Sequence, residues 1–399
     1  MQENVLRMPG MVPILATFAA VMSSLSILLP ASPAWVTAGG AGASGAGLVT
    51  ATLMGVTVLT QLVAVRKMLT YIGWPVTVCA GTLFMGLPSP LQALSSDLWV
   101  VLLSSALRGI GFGIVTVCGS TALSILIPSH RRGTAVGLYG LAAAIPQVIF
   151  TPLAPWLIEV LGYGFVLSSG LIAVVGAPFA WKLGRLVEEQ TSAEPSGEGV
   201  DGLGLVILRI WPALLTLTLI TAAGGAFFTF ATELGYTPAL ATLALLCLTA
   251  VGVPTRLYGG SLTDRWGTRI LMTPILGASS VGIAGIGISA GMEEGSSRAT
   301  VFIVSTVILG IGYGFLQSVS MVRALADAGA KNGAGAAVLW NSNFDIGTGL
   351  GGLAVGAMAQ VAGFSVAWWI WAVLVLAGAV VMGFGDMKSS ASRRSQGRC

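Results

Sequence analysis

Apolar residues in this chain come in long unbroken runs rather than in the alternating or one-faced patterns of a soluble fold. A helix that crosses a bilayer needs roughly 20 mostly apolar residues, and twelve runs satisfy this. The first six cover about residues 11–32, 45–65, 74–94, 98–127, 134–158 and 163–182. The second six cover about 207–231, 237–258, 270–290, 299–322, 334–358 and 364–385. None alternates apolar and polar positions over about ten residues, as a transmembrane β-strand does. The pattern predicts an all-α membrane protein with twelve transmembrane helices. Arg7 followed by an apolar stretch and small residues near Ala31 has the outline of a signal peptide, but the similar runs behind it make it a retained span.

The polar segments between the runs set the expected orientation. With the N-terminus inside, 17 of the 19 Lys and Arg residues fall in cytoplasmic segments, only Arg298 falls outside, and Arg108 falls within a span. Such a bias predicts both termini in the cytoplasm. The longest polar stretch, residues 188–201, is acidic, holds Gly, Ser and Pro, and lacks an apolar face. It reads as a flexible linker that divides the spans six and six. The expected organisation is a six-helix bundle over 1–185, a linker over 186–206, a second bundle over 207–387 and a basic cytoplasmic tail over 388–399.

Composition narrows the function classes. The chain is 55% hydrophobic and only 9% charged, against about 25% charged in soluble proteins. Mean hydropathy is +0.89. Lipid must therefore face most of the surface. The net charge of +4 lies in short clusters between apolar runs, so it signals orientation rather than nucleic-acid binding. Cys79, Cys118 and Cys247 lie in apolar runs and Cys399 ends the chain, with no metal-ligand spacing and no CxxC pair. No disulfide, metal or cofactor is expected.

The two halves repeat. Residues 109–113 read GIGFG and residues 310–314 read GIGYG, an offset of 201. At that offset Gly162-Tyr163 meets Gly363-Phe364 and Tyr139 meets Trp340. A six-span unit has been duplicated, and repeats of this kind place a substrate site near the midplane at the interface of the halves.

The loop after the eighth span carries Gly260, Asp264, Arg265, Gly267 and Arg269 in the order GSLTDRWGTR. Gly permits the turn, and Asp264 can cap a neighbouring helix or pair with an Arg, holding one conformation closed. This loop resembles the G-x-L-x-D-R-x-G-x-R signature of the major facilitator superfamily. With the six-plus-six pattern and the midpoint linker, the resemblance covers nearly the whole chain. It implies twelve helices in two bundles rocking about a central cavity, and transport of a small solute, often with protons. The corresponding loop after the second span keeps Arg66 and Lys67 but lacks the acid.

Two charges fall near mid-span, where a charge is expensive and usually functional. Arg108 is in the fourth span; exporters of the family often carry Arg at the position held here by Ser105, three residues earlier. Asp345 is in the eleventh span, with Asn341 and Thr348 at helical spacing beside it. The pair is expected to carry proton or charge coupling. Asn341, Thr348, Gln147, Gln317, Ser105 and Trp340 are the expected cavity residues. The fifth span keeps Pro146 of an exporter-type Gly-Pro signature but has Ile145 in place of the Gly.

These readings predict a secondary transporter in a bacterial inner membrane, monomeric, moving a small amphipathic organic solute, with proton-coupled export foremost. Proton-coupled import or uniport of a metabolite is the alternative, and a non-transporting sensor a more distant one. An enzyme is not expected: the only His is His130, in a loop, and no nucleophile–base group accompanies it.

Overall fold

Every backbone polar group inside a bilayer must be satisfied within its own segment or a closed barrel. Among the described residues, all regular elements are accordingly helices. The structure is a computed structural model describing residues 6, 8–128, 131–191, 203–234 and 236–396, without the side chains of 133, 191, 203, 264, 330, 334 and 384–396. Arg7, His130 and most of the expected linker lie outside the described residues.

Contacts divide the chain into two compact units. The first is Met1–Glu198 together with Phe228–Thr242; the second is Gly199–Phe227 together with Leu243–Cys399. The first unit holds α1 (Met11–Ala38), α2 (Gly42–Leu59), α3 (Val65–Ile72), α4 (Trp74–Gly86), α5 (Ser89–Leu94), α6 (Leu98–Leu126), α7 (Arg132–Ser168) and α8 (Ala177–Thr191). A single π-helical turn, Thr60–Ala64, joins α2 to α3. Helix α8 thus carries Glu188 and Glu189, which the polar pattern places in the linker.

The second unit is built from α9 (Leu203–Phe230), α10 (Pro238–Trp266), α11 (Thr268–Ala290), α12 (Ser296–Ala328) and α13 (Gly333–Gln396). The last turn of α9 and the first of α10 belong by contacts to the first unit.

Nine helical stretches among the described residues are long and apolar enough to cross a membrane. Two of them, 134–190 and 335–383, are far longer than one crossing requires. Each is broken at a glycine. Gly162 has φ 77° and ψ 165°, and Gly363 has φ 83° and ψ 161°. An L side chain is strained in that region and Gly is not. These are the two glycines that the 201-residue offset superposes. Helix α4, at 13 residues, is too short to count among the nine.

The glycine triplets explain the tightest packing. A Cβ added to Gly109 would lie 2.5 Å from the Leu53 carbonyl oxygen, and one on Gly113 2.7 Å from that of Thr57, both on α2. Gly111, between them, faces Met85 and Gly81 on α4. In the second unit Gly310 and Gly314 meet Leu248 and Gly252 on α10, while Gly312 meets Ser279 on α11. The outer glycines admit one neighbour's backbone and the middle glycine another helix, the use of small residues expected between helices in lipid.

Candidate membrane transport site

In the second unit, polar side chains from three helices converge. Tyr313 on α12 is buried inside the glycine triplet, and its hydroxyl shares a hydrogen bond with the side chain of Gln317 one turn on. Arg256 on α10 and Asp345 on α13 both lie within electrostatic reach of that phenol. Asp345 is only 6% exposed, and Gln317 is buried with it. Arg256 remains accessible. Small residues allow the convergence: the Tyr313 ring occupies the space a side chain at Gly224 would fill, and the backbone of Thr348 does the same at Gly225. A carboxyl, a guanidinium, a phenol and an amide thus share one unit.

The expected polar face of α13 divides. Asp345 and Thr348 are buried, the Thr348 hydroxyl donating to the Phe344 carbonyl at 3.0 Å. Asn341 is exposed and donates to the Ala337 carbonyl of its own helix at 2.9 Å. The amide that ties α13 to α9 is Asn343, donating to the Leu214 carbonyl at 2.9 Å and the Thr218 hydroxyl at 3.0 Å. The Trp340 indole donates to the Ser320 hydroxyl at 3.0 Å, and the residue sits in an apolar cluster with Leu217, Ala324 and Ala336.

In the first unit Arg108 is 1% exposed. Its Nη2 donates to the Ser24 carbonyl of α1 at 3.3 Å, while its Nε has no partner. The hydroxyls of Ser24, Ser26 and Ser105 are likewise buried without partners. Arg108 and Ser105 do share one buried face of α6. Gln147 on α7 is half-buried.

The motif expected in a loop is helical instead: residues 260–266 are the last turns of α10, and Gly267, with φ 81° and ψ 149°, starts α11. Gly260 has open space where a Cβ would go. Arg265 is exposed and Arg269 half-buried, and the side chain of Asp264 lies outside the described residues. In the first unit Gly73, with φ 78° and ψ 171°, starts α4 in the same way. There the Trp74 backbone N–H donates to Glu188 Oε1 of α8 at 2.9 Å. An acid from a distant segment therefore meets the helix start in the loop that lacks one.

Comparison with known proteins decides the family. The model of the major facilitator superfamily matches residues 14–338 and, in a second match, 213–398. The chain belongs to the major facilitator superfamily. Among curated relatives it is similar to the inner membrane transport protein YdhP of Escherichia coli K12, with 29% identity over 189 residues. That alignment covers 44% of this chain and 46% of the relative, so less than half of the relative's length is matched. The fold is similar to that of the nucleoside transporter NupG, with TM-score 0.66 and 14% identity over 95% of this chain and 98% of that one. It is also similar to a bacterial homolog of the human lysosomal transporter Spinster, solved inward-facing and occupied, with TM-score 0.69 and 13% identity over 96% of each chain. This superfamily member has the multi-pass helical fold of its transporter relatives.

Two members of the cluster lie outside the expected site residues, and each had a signal. Tyr313 stands where the first repeat has Phe112, so the second half adds one hydroxyl to an otherwise matching motif. Arg256 lies inside the apolar run 237–258, yet reads simply as a cytoplasmic positive charge.

Proposed function

We propose that the chain is a secondary active transporter that exports a small amphipathic organic solute in exchange for protons. The observation that carries this reading is the buried Asp345 within electrostatic reach of the Tyr313 phenol, which itself bonds Gln317 and lies within reach of Arg256. A carboxyl in an apolar span is costly when charged and unpaired. It can be neutralised by a proton or by a cation, and transport can alternate the two. Counting each Gly-broken stretch as two crossings and α4 with α5 as one gives twelve spans, with 1–185 and 207–387 as the bundles. The Lys and Arg bias supports cytoplasmic termini, and the YdhP likeness supports a bacterial inner membrane. Arg108, with its unpartnered Nε, is the cation of the first bundle. The 260–269 junction of α10 and α11 then stabilises one access state.

Import or uniport is the second reading. It is favoured by Ile145, which stands where exporter members of the family carry Gly. Proteoliposomes with an imposed proton gradient, screened over amphipathic compounds, separate the readings. Export coupling predicts uptake into vesicles in exchange for outgoing protons. Accumulation with incoming protons supports import, and flux indifferent to the gradient supports uniport.

A further inference from the structure

The turn between α9 and α10 belongs by contacts to the first unit, and Glu233 lies in it. Its carboxyl is half-buried and shares a hydrogen bond with the Thr37 hydroxyl near the end of α1. The Tyr163 phenol of α7 lies within electrostatic reach. That ring packs against Trp35 at a tilt of 38°, centroids 4.8 Å apart, and its hydroxyl reaches the Ala34 carbonyl at 3.4 Å. Trp35 is itself fixed, its indole donating to the Gln92 carbonyl at 2.7 Å. A second bond holds the same segment, between the hydroxyls of Thr50 on α2 and Thr229 at 2.8 Å.

We infer that Glu233 is an acid-favoured latch: protonated, it holds the 228–242 segment on the first unit, and ionised, it leaves for water and lets the segment go. The hydrogen bonding suits both forms. Thr37 already donates to the Pro33 carbonyl at 3.2 Å, so its oxygen can accept from a protonated Glu233. Among the described residues, no neighbouring cation holds the carboxylate. Helices α1 and α2 contain no charged residue, the only charge on α9 is Arg209, and Arg256, Asp264 and Arg265 lie in the later half of α10. On α7 the facing group is Tyr163, while Glu159 is exposed. Asp97, beyond the end of α1, is exposed and accepts from the Trp99 N–H at 2.8 Å.

Burial moves Glu233 up from 4.5 to about 7, with the Thr37 bond pulling the other way. The sign follows directly. The docked segment prefers the neutral acid, so its advantage is complete below pH 4.5 and is lost as pH rises through about 7.

The test uses the full chain in nanodiscs, with its four cysteines replaced by serine and Ala231, which is fully buried, changed to Cys as a reporter. The rate of maleimide labelling, divided by that of N-acetylcysteine at the same pH, is followed from about pH 5 to pH 8. The latch predicts a rise of at most about 70-fold, the ceiling set by the two proton affinities. Glu233→Gln should stay slow throughout. Thr37→Val removes a charge-assisted bond to the carboxylate, so the rise should move to higher pH. A flat profile with Glu233 in place overturns the latch, as does the same profile in Glu233→Gln or an unmoved midpoint in Thr37→Val.

Discussion

Arg108 and Asp345 are both buried, each within its own unit, but their surroundings differ. Asp345 lies within reach of a phenol that also meets an amide and a cation, whereas Arg108 has one carbonyl and unpartnered hydroxyls. An unpaired charge at the centre of a helix in a bilayer costs about 2.5–3.5 kcal/mol on insertion scales. A charge kept at that cost makes Arg108 a functional-site candidate. Arg108→Gln keeps a donor for the Ser24 carbonyl and removes the charge. We expect its melting temperature to hold or rise while flux is lost. A marked fall in melting temperature with flux intact would make Arg108 a packing residue. Depth marked both charges in the sequence, because position within an apolar run is a one-dimensional property. Their partners were not legible, since which turn of α10 meets which turn of α12 depends on helix rotation.

At the scale of elements, glycine spacing decides how closely helices approach. A methyl at Gly111 would meet the backbone of Met85 and Gly81, which cannot step aside as a side chain can. Gly111→Ala should destabilise by about 1–3 kcal/mol, the usual cost of overpacking. Gly260→Ala, with open space at its Cβ and a helical backbone, should instead stabilise by about 0.5–1 kcal/mol. Thermal unfolding of the two variants checks the contrast; equal effects would contradict the packing described for the triplets. The cap on α4 makes a similar prediction. Glu188→Ala should cost about 0.5–2 kcal/mol, and an unchanged melting temperature would reduce the 2.9 Å bond to a surface contact. The triplets and the two chain breaks were readable because a repeat compares like with like. Glu188 was not, because a polar run hides which of its acids continue the preceding helix.

For the whole molecule, hydrophobic run length and charge bias carried the class, and the motif order carried the family. Orientation is a separate prediction. Reporter fusions after residues 97, 233 and 293 should report outside and those after 131 and 195 inside; an outside signal at 195 would break the six-plus-six arrangement. Substrate and coupling were the least legible, because they depend on a few buried groups whose environments change during the cycle. The central claim is that Asp345 carries the proton exchanged for solute. Its most direct measurement is the response of a pH dye sealed in proteoliposomes when a gradient of an identified substrate is imposed. The account predicts proton movement opposite to the solute in the unmodified chain, and solute exchange without proton movement in Asp345→Asn. Undiminished proton movement in Asp345→Asn would contradict it.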